Sequence, residues 1–234
     1  MGTVLALMRF LTSVFLAFSL VVSCSSKSNN DTSLTKTLFE TLKARKEAKK
    51  NEGKSQVPPP ALTRAAIKHI EKPLLRISAQ TLGVKTLFAQ VARNGDYRTY
   101  LNNLKMSVTF KNGIITATRG FGLDLLSQGI SIPTKDVFAE TNAPKFYTRT
   151  QQQLVKTKTV VELDYNCVLE KTGPETITIV EVEYPLMKYT ESCRNTERAF
   201  NNFYWVDDNT QKIWKSAQSI GQQAGYFITE VLVP

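Results

Sequence analysis

The feature that most constrains this chain is a two-residue alternation of apolar and polar side chains, a period that an extended strand uses and a helix does not. Leu104, Met106, Val108 and Phe110 alternate with Lys105, Ser107, Thr109 and Lys111. Asn112-Gly113 then supplies a tight turn and Ile114 to Arg119 returns, so residues 104–119 read as a β-hairpin. The pattern recurs where Val161, Leu163, Tyr165, Cys167 and Leu169 alternate with Glu162, Asp164, Asn166 and Glu170. Thr172-Gly173-Pro174 is predicted to turn the chain, Ile177 to Tyr184 to form the next strand and Pro185 to end it. Three more strands are expected at Phe203 to Val206, Ile213 to Ala217 and Tyr226 to Val233, with a turn at Asp208-Asn209. Ahead of them, Leu62, Ala66 and Ile70 are spaced by four, which predicts a helix over Ala61 to Lys72 that Pro73 stops. No internal repeat is visible. The fold class expected is mainly β: antiparallel sheets forming a sandwich or an open half-barrel, with one short N-terminal helix.

The first sixty residues follow a different logic. Residues 10–22 form an apolar run too short for the ~20 residues of a membrane-spanning helix but suited to a signal sequence. It ends in Val21-Val22-Ser23-Cys24, which is similar to the processing site of bacterial lipoproteins. Residues 1–23 therefore read as a signal peptide, with translation starting at Met1 or at Met8, the latter giving the signal the basic opening that Met8-Arg9 supplies. Cys24 reads as the lipidated N-terminus of the mature chain, its acyl chains buried in outer-membrane lipid. Ser25, in the place where Asp would signal inner-membrane retention, points to the outer membrane, with the domain facing the periplasm. The alternative is a cleaved secretory signal followed by a fortuitous cysteine. Residues 25–60, rich in Ser, Asn, Thr and Lys and ending in Pro58-Pro59-Pro60, read as a tether. Within it Leu34, Leu38 and Leu42 share a helical stripe, either a short basic helix on lipid or part of a spacer. Residues 61–234 are left as a single domain.

Charge narrows the partners. The chain carries 30 Lys and Arg against 20 Asp and Glu, and removing residues 1–23 takes away only Arg9, so the mature chain stays at +9. A basic envelope protein favours anionic partners such as membrane phosphate or acidic polysaccharide, and export argues against nucleic acid. With Cys24 assigned to lipid, Cys167 and Cys193 are the natural candidates for one disulfide in an oxidising compartment, the alternative being two buried free thiols. A single histidine, His69, and the lack of any Cys-x-x-Cys leave too few ligands for an expected metal site. Nucleophile-elbow, zinc-protease and phosphate-loop motifs are also missing, so no catalytic residue and no cofactor is expected. Glu181 and Glu183 share one strand face, and Asp207 and Asp208 sit at a turn, so neither pair reads as glycosidase acids.

Several elements, in order, carry a resemblance. They are Asn94-Gly95-Asp96 with Thr99-Tyr100, then Gly113 with Thr116-Ala117-Thr118-Arg119-Gly120, then Gly122-Leu123-Asp124-Leu125-Leu126. Asn202 and Tyr204-Trp205-Val206-Asp207 follow, with Ile213-Trp214, Ser216, Gln218, Gly221 and Gly225. Over residues 74–234 the chain resembles the YjbF/GfcB family of outer-membrane lipoproteins associated with group 4 capsule and exopolysaccharide. The resemblance implies a β-rich periplasmic domain that assists polysaccharide secretion without catalysis, binding an outer-membrane β-barrel channel or the polymer. The competing classes are a glycan-modifying enzyme and a peptidoglycan-binding structural lipoprotein. The candidate binding surface comprises Arg119, Asp124, Tyr204, Trp205 and Trp214. Each has a structural counter-reading: an Arg119–Asp124 ion pair at a strand exit, and tryptophans packed between sheets.

Overall fold

The computed structural model describes residues 61–139, 143–156 and 158–234. The signal segment, Met8, Cys24 and the tether with its leucine stripe lie outside them. The helix α1 (Arg64–Ile67) is followed by β1 (Leu74–Ala79), β2 (Val84–Asn94), β3 (Tyr97–Leu101), β4 (Ser107–Lys111), β5 (Ile114–Arg119) and β6 (Leu125–Ile130). Six further strands complete the chain: β7 (Lys145–Leu154), β8 (Val160–Ile179), β9 (Val182–Arg194), β10 (Ala199–Asp207), β11 (Lys212–Ser219) and β12 (Tyr226–Val233). They make one twelve-stranded antiparallel sheet in the order β5-β4-β3-β2-β1-β12-β11-β10-β9-β8-β7-β6.

The mainly β, antiparallel class is as expected, but the arrangement differs from a sandwich or an open half-barrel: one sheet curls on itself until it nearly closes into a barrel. The two end strands, β5 and β6, are neighbours in sequence, and the curl brings them edge to edge. Register shifts that bend the sheet recur around it, among them those between Gln90 and Ala92, Thr109 and Phe110, Lys171 and Gly173, and Trp205 and Val206. The seam is stitched by side chains. Arg119 donates from Nη1 to the Leu125 carbonyl (3.1 Å) and from Nη2 to that of Leu126 (3.0 Å). Leu125 N–H donates to Thr118 Oγ1 (2.9 Å), whose hydroxyl donates to Asp124 Oδ1 (3.0 Å).

Two apolar clusters fill the interior. One joins β1 to β5 with β12 around Ile77, Phe88, Val108 and Phe227, and the other joins β7 to β11 around Tyr165, Cys167 and Cys193. Cys167 and Cys193 are register partners on β8 and β9 and form a disulfide. A third cluster lies on the outer face, and a bulge in β8 explains it. Before the bulge, Tyr165, Cys167 and Leu169 belong to the inner cluster; after it, Ile177 and Ile179 belong to the outer one. One extra residue reverses the parity of the strand, so its tip packs outward against Ile67, Leu74 and Leu232.

Two expectations are corrected. Thr172-Gly173-Pro174 is no turn: β8 runs through it as the bulge, and Pro185 lies inside β9 opposite Thr176. The turn is at Val180-Glu181, both at positive φ (43° and 67°). A β-branched residue is strained there, and Arg64 holds it in place, its N–H on Glu181 Oε2 (3.0 Å) and its Nε on the Val180 carbonyl (2.9 Å). The predicted twelve-residue helix shrinks to α1, capped by Thr63 Oγ1 on Ala66 N–H. It ends in a tight turn, Ile70 N–H donating to the Ile67 carbonyl (3.0 Å), and the chain joins the sheet at Pro73, whose carbonyl accepts from Gln90 N–H (2.9 Å).

Candidate functional site

Among the described residues two places concentrate polar chemistry, one closed and one open. The closed one begins with β7, whose inward positions Tyr147, Arg149, Gln151 and Gln153 are all buried. Arg149 donates from Nη2 (2.6 Å) and Nε (3.1 Å) to Oε1 of Glu191 on β9, and Tyr147 donates its hydroxyl to the same oxygen (2.6 Å). Asn202 Nδ2 (2.6 Å) and the Tyr204 hydroxyl (2.9 Å), both from β10, donate to Oε2. Burial by itself would raise the Glu191 carboxyl, but the Arg149 charge and the Tyr147 and Asn202 hydrogen bonds hold it below the usual range. Asn202 passes the network on, its Oδ1 accepting from Ser219 N–H of β11 (2.7 Å). Glu191 is 0 % and Arg149 1 % exposed, so no substrate reaches either. The cysteine sulfurs lie within 4.8 Å of the carboxylate but, joined to each other, offer no thiolate.

The open place is a cleft of about 630 Å³ at one end of the barrel, within the roughly 300–1,000 Å³ range of small-ligand sites. Leu75, Tyr100, Phe110, Ile213 and Val231 give it an apolar floor. Arg98, Lys135 and Lys212 stand among the residues around it, and no Asp or Glu side chain lines it. None of the three cations has an ion-pair partner among the described residues. Burial, and then the nearby Arg98 charge, lower the Lys212 ammonium from its ordinary range, with Asp207 opposing. Gln211 adds an oxygen, Oε1, that has no hydrogen-bond partner, while its Nε2 is fixed on the Asp208 carbonyl (2.7 Å).

Two turns meet to form this cleft. Asn112-Gly113, the β4–β5 turn, sits against β11 so closely that a Cβ on Gly113 would fall 2.6 Å from Ile213 Cδ1. Gln218 of β11 secures the approach, accepting from Ile115 N–H (3.0 Å) and donating to the Gly113 carbonyl (3.1 Å). Asn112 Nδ2 donates to Thr134 Oγ1 (3.0 Å), which ties down the short 3-10 turn that carries Lys135.

The predicted surface residues are not brought together. Tyr204 is buried on the Glu191 network, whereas Trp205 and Trp214 pack on the outer cluster. The aromatic faces there are occupied: Trp214 lies against Tyr184 (4.4 Å between centroids) with Lys212 Nζ 4.2 Å away, and Lys188 and Lys215 stand over Trp205. Arg119 and Asp124 sit at the seam but not as an ion pair. Arg119 serves carbonyls, while Asp124 accepts from Thr118, Gly120 N–H (3.1 Å) and Phe121 N–H (3.2 Å). Glu191 and Arg149 escaped sequence reading. Glu191 was legible by parity, two residues from Cys193 on the same face. Arg149 was not, because the inward set of β7 is largely polar and shows no alternation.

The fold defines a class: the described part of the chain is one antiparallel sheet nearly closed into a barrel. The same fold is seen in the crystal structure of the hypothetical lipoprotein YmcC from Escherichia coli K12, at a TM-score of 0.64 and 14 % identity, covering 82 % of this chain and 94 % of that one. No curated protein matches the chain significantly. The chain belongs to the YjbF family, described as group 4 capsule polysaccharide lipoprotein gfcB, YjbF, whose model matches residues 32–232.

Proposed function

We propose that this protein is a non-enzymatic accessory of capsule or exopolysaccharide secretion, anchored in the outer membrane by acyl chains on Cys24 and working from the periplasmic side. It acts by holding an outer-membrane channel or the polymer itself. The observation that carries this reading is membership, over residues 32–232, of a family of capsule polysaccharide lipoproteins. The geometry favours binding over catalysis: among the described residues the dense cluster of titratable groups around Glu191 is sealed, and the open cleft presents cations without a paired acid and base. The test is deletion of the gene in its native host and complementation. Secreted polymer is expected to fall on deletion, to return with the wild-type chain and not to return with Cys24→Ala, which no longer incorporates labelled palmitate. Unchanged secretion in the deletion strain overturns the reading, and a change in polymer length or acylation on incubation with the pure protein overturns its non-enzymatic part.

A further inference from the structure

We infer that the cleft at the barrel end binds an acidic sugar unit, with Arg98, Lys135 and Lys212 around its carboxylate and Gln211 Oε1 accepting a hydroxyl. This deepens the proposed function and rests on it for the class of ligand. Four observations converge. Three cations from β3, the short 3-10 turn and β11 surround one cavity with no acidic side chain among its lining and outnumber the single α-carboxylate of Pro234 there, which leaves a net positive field that an anion completes. Arg98 offers a planar fork suited to a carboxylate, and the two lysines add point charges, that of Lys212 shared with the face of Trp214, 4.2 Å from its ring centroid. Gln211 lacks a partner for one oxygen, and a sugar supplies hydroxyl donors. The apolar floor, where Tyr100 and Phe110 meet edge to face at 5.6 Å, suits the C–H face of a sugar ring.

The site is built to stay open. Gly113 lets the β4–β5 turn approach Ile213, Gln218 bonds that turn to β11, and the Asn112–Thr134 bond holds the Lys135 segment beside it. The cations are therefore carried on a connected frame rather than on separate loops, which lowers the ordering cost of binding.

The experiment is calorimetric titration of the acylated full chain, held in phosphatidylcholine nanodiscs, with tetragalacturonate, and with maltotetraose as the neutral counterpart. Tetragalacturonate is expected to bind, more weakly as salt rises, and maltotetraose not to bind. Lys212→Glu and Arg98→Glu are each expected to weaken binding about tenfold or more, one charge-assisted contact being worth about that much. Lys85→Glu, an exposed charge reversal outside the cleft lining, should leave it unchanged. Should Lys212→Glu fail to fold, exposed Lys135→Glu replaces it, an unchanged melting temperature being the criterion. Equal loss with Lys85→Glu means diffuse charge attraction and overturns the site. Equal binding of maltotetraose, or displacement of tetragalacturonate by laurate, overturns the acidic-sugar class. No binding of tetragalacturonate overturns the inference alone, since the deletion and complementation experiment reads the secretion role independently.

Discussion

At the scale of single residues, Glu191 is the centre of the buried polar network. Its carboxylate receives five hydrogen bonds from four side chains on two strands, and removing one partner of such a buried ion pair leaves the other charge stranded. Glu191→Ala is therefore expected to cost about 3–5 kcal/mol in urea unfolding. The same carboxylate predicts an acid limb. An unfolded glutamate takes up its proton near pH ~4.3, whereas folded Glu191 does so only at lower pH. Between those two values the unfolded chain holds more protons, so the contribution is complete above about pH 4.3 and is lost as pH falls through the folded value. Thermal melts from neutral to acid pH should show this loss, and Glu191→Gln should show a shallower one. An acid limb identical in wild type and Glu191→Gln would refute the assignment.

At the scale of elements, the β8–β9 hairpin is the unit that decides the outer face. Its disulfide joins directly opposed residues and closes a separation of 26 residues, worth about 3 kcal/mol on the chain-entropy account. Its tip depends on Arg64. That guanidinium donates to the carbonyls of Ile179 (2.8 Å), Val180 (2.9 Å) and Leu232 (2.8 Å) and to the Tyr184 hydroxyl (2.8 Å), locking α1, the hairpin turn and β12 together. Arg64→Ala is expected to cost about 2–4 kcal/mol, because three part-buried carbonyls lose a charged donor and the strained turn loses its support. Hydrogen exchange is the sharper readout: amides of residues 176–186 should lose protection while those of β4 keep it. Uniform loss across the sheet would mean that the hairpin tip is not a separate unit.

At the scale of the whole molecule, closure rests on a seam where backbone pairing gives way to side chains. Arg119→Ala removes two cross-seam bonds, with an expected loss of about 1–2 kcal/mol and faster exchange in β5 and β6. Unaltered exchange there, with secretion abolished, would return Arg119 to the role of a binding residue. Much of this architecture was legible in the chain. The alternation at 161–169, and at 107–111 within the predicted 104–111, places strands correctly because each has one wet face and one buried face, and that parity put Cys167 inside where its partner waits. Leu104, expected on the buried face, instead stands 66 % exposed in the turn before β4, where Asn102 Oδ1 accepts from Leu104 and Met106 N–H and folds the chain back. β7 was illegible because a barrel interior with its own hydrogen-bond network accepts Arg, Gln and Tyr where a simple core would demand aliphatics. The Thr172-Gly173-Pro174 segment misled because Gly and Pro serve bulges as readily as turns. The cleft could not be read at all, since its cations lie more than a hundred residues apart at the extremes. The sequence by itself determined the β4–β5 hairpin, the first half of β8 with Cys167 on its apolar face, and the last three strands, all set by local period, and it left Cys167 and Cys193 as candidates for one disulfide. Only the tertiary structure decided that one sheet would curl until β5 met β6 and that the turn at Asn112 would settle against β11. Bulges and side-chain bonds between distant strands govern that curvature, and local alternation carries no information about it.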